Sequence, residues 1–150
     1  MFSKACEYAM RAALYISVKS IDGSRLGIKE IAKEIDSPAH FTAKILQTLS
    51  REGIISSIKG PHGGFYLDPK AKPIPLNAIV KAIDGDGILH SCSLGLKECS
   101  NRFPCPIHDE IKVYKDRLRK VMKEKTVQQL AKELVRGKTF LKNYKVKLSR

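Results

Sequence analysis

The sequence contains no uninterrupted apolar run of about 18 residues, which is the length that a membrane-spanning helix needs. Its first residues, Met1 to Ala5, lack the basic region and the long apolar core of a signal peptide. We therefore expect a cytoplasmic protein with no membrane partner. The 150 residues are 43% hydrophobic and 29% charged, which excludes wholesale disorder and predicts one domain, or a small domain with an appendage.

The patterns that mark common enzymes are also absent. The sequence has no Cys-x-x-Cys motif, no glycine-rich nucleotide-binding fingerprint and no nucleophile–base arrangement. We therefore predict that the protein is not an enzyme. A small redox enzyme or an iron–sulfur carrier is the enzymatic alternative, and turnover with a thiol or an electron donor would revive it.

Acidic residues are scarce: 15 Asp and Glu stand against 28 Lys and Arg, so the formal net charge is +13. This excess predicts a polyanionic partner, with nucleic acid as the first candidate. An acidic membrane surface or a solubilising role is the alternative. The last segment, residues 137–150, contains no acid and reads as a solvated basic tail, with a phosphate-binding arm as the less favoured interpretation.

The N-terminal third predicts a helix-turn-helix. Apolar residues recur at helical spacing over 4–19 and again over 28–35. A third helix is expected over 38–52, with Ser37 as its N-cap and Pro38 at its first position. The inward positions of these helices are Cys6, Ala9, Met10, Ala13, Ile28, Ile31, Ala32, Ile35, Phe41, Ile45 and Leu49.

A hairpin follows the third helix. Residues 54–59 and 65–67 read as strands, joined by the glycine-rich loop 60–64. A helix-turn-helix followed at once by a hairpin is a winged helix, so residues 1–84 form the predicted DNA-binding domain. Lys59 and the glycines would let a cation and bare backbone approach a phosphate or the minor groove. The fold class is therefore mainly α with a small β-hairpin.

The second half predicts a long helix for dimerisation. A short helix over 76–83 ends before a cysteine-containing segment, residues 85–106. The apolar spacing then becomes four, three, four, three, which is typical of a helix that packs lengthwise on a partner. Thr126 and Gln129 form a capping box for a last helix. We assign 107–136 to a dimerisation helix and a C-terminal helix; packing within one chain is the alternative. The seam positions are Ile107, Ile111, Tyr114, Leu118 and Val121.

Three of the four cysteines lie together. Cys6 sits in an apolar helical pattern and is expected in the core, whereas Cys92, Cys99 and Cys105 lie in a Gly- and Pro-containing segment with gaps of six and five residues. Structural zinc sites usually begin with a shorter gap, so the spacing favours an iron–sulfur cluster over zinc or a bare thiol switch. His108 is a nearby fourth donor, and a carboxylate from elsewhere is the alternative.

Three stretches carry a family resemblance: Ser3–Ala9, the wing Ile58–Leu67, and the three-cysteine segment that ends in Cys105-Pro-Ile-His108. Together they resemble the IscR/NsrR/CymR-type family of bacterial winged-helix regulators, over roughly residues 1–135. The resemblance implies a homodimer that binds double-stranded promoter DNA and carries an iron–sulfur cluster in each protomer. Three cysteines argue against the branch of the family that lacks cluster ligands.

The resemblance also implies roles for residues. Cys92, Cys99 and Cys105 would ligate the cluster, completed by His108 in a two-iron site or by Glu7 of the other subunit in NsrR-like members, so the cluster type stays open. Lys59 would reach the minor groove, where a strongly hydrated lysine reads groove width less sharply than arginine. The expected DNA-contacting residues are Lys29, Ser37, Ala39, His40, Thr42, Ala43, Lys44, Lys59, Gly60, His62 and Gly63.

The sequence thus predicts a transcription regulator, of repressor type, gated by its cluster. Loss or modification of the cluster would release the 85–106 segment and change the spacing or tilt of the two winged domains. A thiol-based or metal-independent repressor is the main alternative. A nucleoid or RNA-binding protein without sensing is a further one, and sequence-indifferent, salt-dependent binding would support it.

Overall fold

A computed structural model describes residues 1–142; the predicted basic tail 137–150 therefore lies largely outside the described residues, from 143 onward. The described chain is mainly helical with one two-stranded antiparallel hairpin. Its elements are α1 (Lys4–Ser20), α2 (Ile28–Glu34), α3 (Ala39–Arg51), β1 (Ser56–Ile58), β2 (Gly64–Tyr66), α4 (Leu76–Asp84), α5 (Gly87–His90), α6 (His108–Glu124) and α7 (Val127–Val135).

The first helix lies at the centre of the core. It begins where the Ser3 hydroxyl accepts a hydrogen bond from the Cys6 amide at 3.0 Å, and it packs on α2, α3, α4 and α7. Its buried face consists largely of Cys6, Ala9, Ala12, Ala13 and Ile16, whose small side chains let neighbouring helices approach closely. The prediction that Cys6 is a core residue is confirmed.

The turn between α2 and α3 departs from the predicted cap. The helix begins at Ala39, and Pro38 rather than Ser37 occupies the N-cap position. The turn is closed by the backbone, because the Ser37 amide donates to the Ala32 carbonyl at 3.0 Å. Ser37 therefore sits one residue too early to reach the orphan amides of the first helical turn. The prediction of a Ser37 cap is wrong, and its hydroxyl oxygen is buried without a hydrogen-bond partner in the described part of the chain.

The wing is shorter than predicted on its first side. Ile54 and Ile55 do not join the strand; both are buried in the core, and the Ile54 amide donates to the Leu49 carbonyl at 2.9 Å. The hairpin pairs Ser56 with Tyr66 and Ile58 with Gly64. Leu26 forms an antiparallel bridge to the hairpin. Its amide donates a hydrogen bond to the Phe65 carbonyl at 2.9 Å, and its carbonyl accepts one from the Phe65 amide at 2.8 Å.

The last helix returns to the first. The predicted capping box is confirmed, since Thr126 accepts from the Gln129 amide and Gln129 accepts from the Thr126 amide, both at 3.2 Å. Backbone bonds from Leu76 to Lys125 and from Val127 to Ile74, at 3.0 and 2.8 Å, fasten this helix beside the start of α4. α7 then packs along α1 and completes the core.

The predicted seam of α6 is only partly buried. Leu118, together with Met122, packs against the core of its own chain, whereas Tyr114 and Val121 are 72% and 44% exposed. At 3.6 residues per turn the five seam positions fall within one arc of about 80°, but the core of this chain covers only the edge of that arc where Leu118 lies beside Met122. The neighbours of α6 are α4 and α5. The short α5 also lies within the segment predicted as loop, 85–106, and buries Leu89.

No helix of the described residues is long and apolar enough to cross a membrane.

Candidate nucleic-acid interface and cysteine site

Seven of the residues predicted to contact DNA are exposed on α2, α3 and the wing. They are Lys29, Ala39, His40, Lys44, Lys59, Gly60 and His62. α3 follows α2 directly through a four-residue connection, and the hairpin follows α3, so the helix and the wing are held by the same core. The arrangement presents a cationic helix face and a cationic hairpin tip.

Four of the predicted contacts sit differently, and one of them is Ser37, whose hydroxyl oxygen is buried. Thr42 is fully buried, because it shares the inward face of α3 with Ile45, Leu46 and Leu49, and its hydroxyl donates to the Pro38 carbonyl at 3.0 Å. The prediction that Thr42 faces DNA is therefore wrong. Ala43 and Gly63 are half-buried.

The first turn of α3 carries no side-chain cap. Its leading backbone amides therefore lack intrahelical partners, and the helix dipole adds positive potential at the same end. The exposed His40 lies within this turn. An uncapped N-terminus of this kind suits an anionic oxygen, such as that of a backbone phosphate.

Glycine is required at two positions of the wing. A side chain on Gly63 would overlap the Ile58 carbonyl oxygen, because the loop turns tightly there and the Gly63 amide bonds to the Gly60 carbonyl at 3.0 Å. Gly64 has a φ of 142°, and a Cβ there would lie 2.8 Å from the Leu26 carbonyl oxygen. The wing therefore depends on bare backbone at its tip.

Arg25 was missed by the sequence analysis. Its guanidinium donates to the His62 carbonyl at 3.3 Å and lies 5.7 Å from the centre of the Tyr66 ring, so it braces the wing loop from the Leu26 side. The signal available in the sequence was the change from the charged Arg25 to the apolar Leu26, since alternation of polar and apolar residues is typical of a strand.

The cysteine segment holds its sulfurs in two pairs. In the first, Cys92 and Cys105 contact each other. The pKa of Cys92 lies below the ordinary value of a thiol because the Leu94 and Leu96 amides donate to its sulfur, with a smaller contribution from Cys105, while burial acts in the opposite direction. The turn that aims these amides has Gly95 at a φ of 75°, in the left-handed region that glycine tolerates best.

The second pair is Cys99 and His108. The imidazole is 5% exposed at the start of α6, with Nδ1 3.6 Å from the Cys99 sulfur and Nε2 2.9 Å from Asn101 Oδ1. Because an amide oxygen only accepts, Nε2 carries the proton and the lone pair of Nδ1 faces Cys99. Asn101 thus orients the ring as the second-layer partner of a ligating histidine does.

The donor chemistry fits an iron–sulfur cluster, because three thiols and one oriented imidazole are its usual ligand types. The two pairs do not converge: among residues 1–142 no three His, Cys, Asp or Glu side chains stand together as a metal site. Glu7 lies on α1 and pairs with Lys4 at 2.8 Å, an ion pair that lowers the pKa of its carboxyl. Within one chain it is not brought to the cysteines.

Two cations of α6, also missed by the sequence analysis, hold the segment that precedes Cys92. Lys115 donates to the Ser91 carbonyl, and Arg119 donates to the Leu89 carbonyl at 2.6 Å and pairs with Asp116. Because Lys115 and Arg119 follow His108 at helical spacing, the sequence could have placed them on the same face of α6 as this histidine. They border a cavity of about 390 Å³ lined by His90, Cys99, Asn101, His108, Lys112, Lys115 and Arg119.

The chain is similar in sequence to known regulators. Residues 2–133 match a family model described as Rrf2, iron-dependent transcriptional regulator. A predicted HTH-type transcriptional regulator of Aquifex aeolicus is 30% identical over 133 residues, which cover 87% of this chain and 90% of that protein. The HTH-type transcriptional regulator NsrR of Oceanobacillus iheyensis is 26% identical, over 86% of this chain and 88% of its own.

Solved structures share the fold. CymR, the global cysteine regulator of B. subtilis, superposes with a TM-score of 0.68 at 21% identity, over 88% of this chain and 96% of its own. T. potens IscR gives a TM-score of 0.68 at 17% identity, over 93% of this chain and 92% of its own. The predicted fold class, a mainly helical winged helix-turn-helix with a small hairpin, is confirmed by these neighbours.

Proposed function

Because the chain belongs to the Rrf2 family of transcriptional regulators, as its resemblance to IscR, NsrR and CymR implied, we propose that it is a homodimeric regulator that binds promoter DNA sequence-specifically and is gated by an iron–sulfur cluster. The observation that carries this proposal is the coexistence of two features. One is an exposed, cationic α3 with its glycine-dependent wing, and the other is a cysteine segment attached directly to the helix that follows it.

The proposed DNA contacts are of two kinds, those to the grooves and those to the phosphate backbone. The exposed side chains of His40 and Lys44 face the major groove with α3, while the uncapped start of the helix receives a phosphate. Lys59 enters the adjacent minor groove, and Arg25 holds the wing loop in the conformation that this requires. Lys29 on α2 contacts the backbone.

Two such units are joined through α6. Ile107, Val113, Tyr114 and Val121 are exposed in one chain, and α6 contacts its own chain through α4 and α5. A second copy that covers this apolar surface places two recognition helices on one face of the duplex, where they read a pseudo-palindrome at one-turn spacing. Domain boundaries follow: 1–84 reads DNA, 85–106 senses, and 107–136 joins the protomers and closes the core.

The proposed sensing segment carries the ligand types of a cluster in two pairs, which would have to come together around it. Cys92, Cys99 and Cys105 would hold the cluster together with His108, and the Leu94 and Leu96 amides would stabilise the Cys92 thiolate. When bound, the cluster supplies iron–thiolate bonds that oxidants, nitric oxide or a shortage of iron and sulfide can break. Lys115 and Arg119 transmit the state of the segment to α6, because they bond to its backbone carbonyls.

A thiol-based regulator is the second candidate, and the contact between Cys92 and Cys105 favours it. In that case the two thiols form a disulfide, and their two electrons and two protons pass to a peroxide, which is reduced to water. No metal takes part in this reaction. The two candidates share the DNA-binding machinery and differ only in what changes at the cysteine segment.

Anaerobic reconstitution with iron and sulfide separates them. The cluster proposal expects a coloured protein with a Mössbauer signature of bound iron–sulfur and an operator affinity that differs between loaded and apo forms by roughly 5- to 150-fold. The His108→Ala variant should lose the colour more readily, whereas His90→Ala, which alters an exposed histidine of the same region, should not. A colourless, iron-free protein whose DNA affinity responds to peroxide supports the thiol candidate instead.

A further inference from the structure

The cavity between α6 and the cysteine segment has a volume of about 390 Å³, which falls within the range of small-molecule sites. Lys112, Lys115 and Arg119 of α6 line it, and none of the described residues that line it is acidic. Cys99 and His108 border the same cavity. The three cations belong to no iron-ligand set, because a protonated amine or a guanidinium has no lone pair to give to a metal.

The three cations share one face of α6 with His108. At about 100° per residue, positions 108, 112, 115 and 119 fall within about 60° of one another. Asp109 and Glu110, the acids of the first turn, are about 100° and 200° from His108 and lie outside this face. Like charges at three- and four-residue spacing repel each other. The sequence thus concentrates an unfavourable positive charge that a bound anion would relieve.

The cations are held in place rather than extended into water. All three are half-buried. Lys115 donates to the Ser91 carbonyl, and Arg119 donates to the Leu89 carbonyl at 2.6 Å. A carbonyl is neutral, so these two bonds orient the cations without removing their charge. Asp116 pairs with Arg119 but does not line the cavity, so the charge of the two lysines is left uncompensated there.

The hydrogen-bonding capacity left over in the cavity is dominated by donors. Within residues 1–142, Lys112 has neither a hydrogen-bond nor an ion-pair partner, and Lys115 uses one of its three N–H groups. Asn101 Oδ1 accepts from His108 Nε2 at 2.9 Å, which leaves the amide nitrogen of Asn101, a donor only. Phosphate and carboxylate oxygens match this set, because they carry negative charge and only accept hydrogen bonds.

We propose that this cavity binds a small molecule through a phosphate or carboxylate group, which lies between the ammonium groups of Lys112 and Lys115. Arg119 adds positive potential and holds α5 against α6. Binding of the anion requires neither the cluster nor DNA, so this site goes beyond the proposed function. Because Lys115 also bonds to Ser91, the bound group reinforces a contact that joins α6 to the cysteine segment.

The first test removes the two ammonium groups. Full-length, iron-free protein is titrated by isothermal titration calorimetry with inorganic phosphate, glycerol 3-phosphate and succinate, at constant ionic strength with chloride as the background anion. We expect saturable binding at about one site per chain. K112Q/K115Q should weaken it roughly tenfold or more, because hydrogen bonds between charged groups are the strong ones. The matched control, K120Q/K123Q, removes the same charge from exposed positions of α6 outside the cavity.

The outcomes separate a built site from general attraction. Weakened binding in K112Q/K115Q with normal binding in the control supports the site, and the probe that binds best distinguishes a phosphate ligand from a carboxylate. Equal weakening in both variants overturns the proposal, as does an absence of saturable binding by all three probes. Operator binding and iron loading are measured on the same proteins, so the proposed function succeeds or fails independently of the anion site.

The second test keeps both lysines and changes the donor opposite them. Asn101→Asp retains an oxygen that accepts from His108 but replaces the donor amide by a carboxylate, which repels an anion. Asn77→Asp makes the same replacement on α4, outside the cavity. We expect Asn101→Asp to bind the best probe at least about fivefold more weakly than Asn77→Asp, since the new charge lies inside the site. Equal affinities in the two folded variants would show that the anion does not occupy this cavity.

Discussion

The winged-helix body and the cysteine segment are held together by different means. The body buries Ile16, Ile31, Leu46, Leu49 and Ile79 almost completely, so apolar packing defines its conformation. Within residues 85–106, Leu89 and Cys92 are buried, while Leu94, Leu96 and Phe103 are exposed. The segment takes its position from hydrogen bonds that Lys115 and Arg119 make to its backbone.

This difference in packing indicates that the winged-helix body is the more rigid part and that the cysteine segment rearranges more easily. A region with a core resists small perturbations, because rearranging it exposes many apolar groups at once. A segment without a core changes conformation when a few donor atoms gain or lose a partner. The proposed DNA-binding surface and the proposed sensing segment therefore lie in regions with opposite mechanical properties, joined at α6.

The largest effect should come from truncating the core of the body. Leu46→Ala removes a fully buried side chain and should lower the free energy of unfolding by about 2–5 kcal/mol. Leu96→Ala makes the same truncation at a leucine that is 51% exposed, and should change it by less than about 0.5 kcal/mol. Urea titration of both variants measures the contrast. Similar losses would mean that the segment has a core of its own, in a dimer or in a loaded state.

A glycine substitution in the wing should have an intermediate effect. Gly63→Ala forces the hairpin apart, because the new Cβ overlaps the Ile58 carbonyl, and it should destabilise the chain by about 1–3 kcal/mol while weakening DNA binding. Gly27→Ala is the matched control, since Gly27 has a φ of −81° and open space around its Cβ position. Thermal unfolding and anisotropy titration report the two effects. Normal DNA affinity in a folded Gly63→Ala protein would exclude the wing from the interface.

Thiol labelling should leave the fold intact and still distinguish the regions. Burial, assisted by the Asp84 carboxylate, raises the pKa of Cys6 to about 12 from an ordinary value of 9.0. Only the thiolate is alkylated, so Cys6 should stay unmodified as the pH rises from 7 to 9. The exposed Cys99 should be modified rapidly in the native protein. Mass spectrometry after iodoacetamide treatment follows both sites, with urea-unfolded protein as the reference for full labelling. Rapid modification of Cys6 in the native protein would contradict the described core.

Much of the site was accessible from sequence because its signals are local. The capping box of Thr126 and Gln129 and the glycine-rich wing depend on residues a few positions apart. The predictions for Ser37 and Thr42 were wrong because they depend on the exact start and orientation of α3. The helix begins one residue later than predicted, which leaves Ser37 before the cap, and its orientation turns Thr42 toward the core. Arg25, Lys115 and Arg119 escaped notice because their partners lie 24 to 37 residues away.

The order of the residues alone determined the helix-turn-helix, the hairpin and the clustering of three thiols, since each follows from periodicity, turn chemistry and spacing along the chain. The tertiary structure alone decided that α7 closes the core on α1, that the cysteines pair as Cys92 with Cys105 and Cys99 with His108, and that Lys142 reaches Glu34. These contacts join residues distant in sequence, and which of them form depends on how whole helices pack to exclude water.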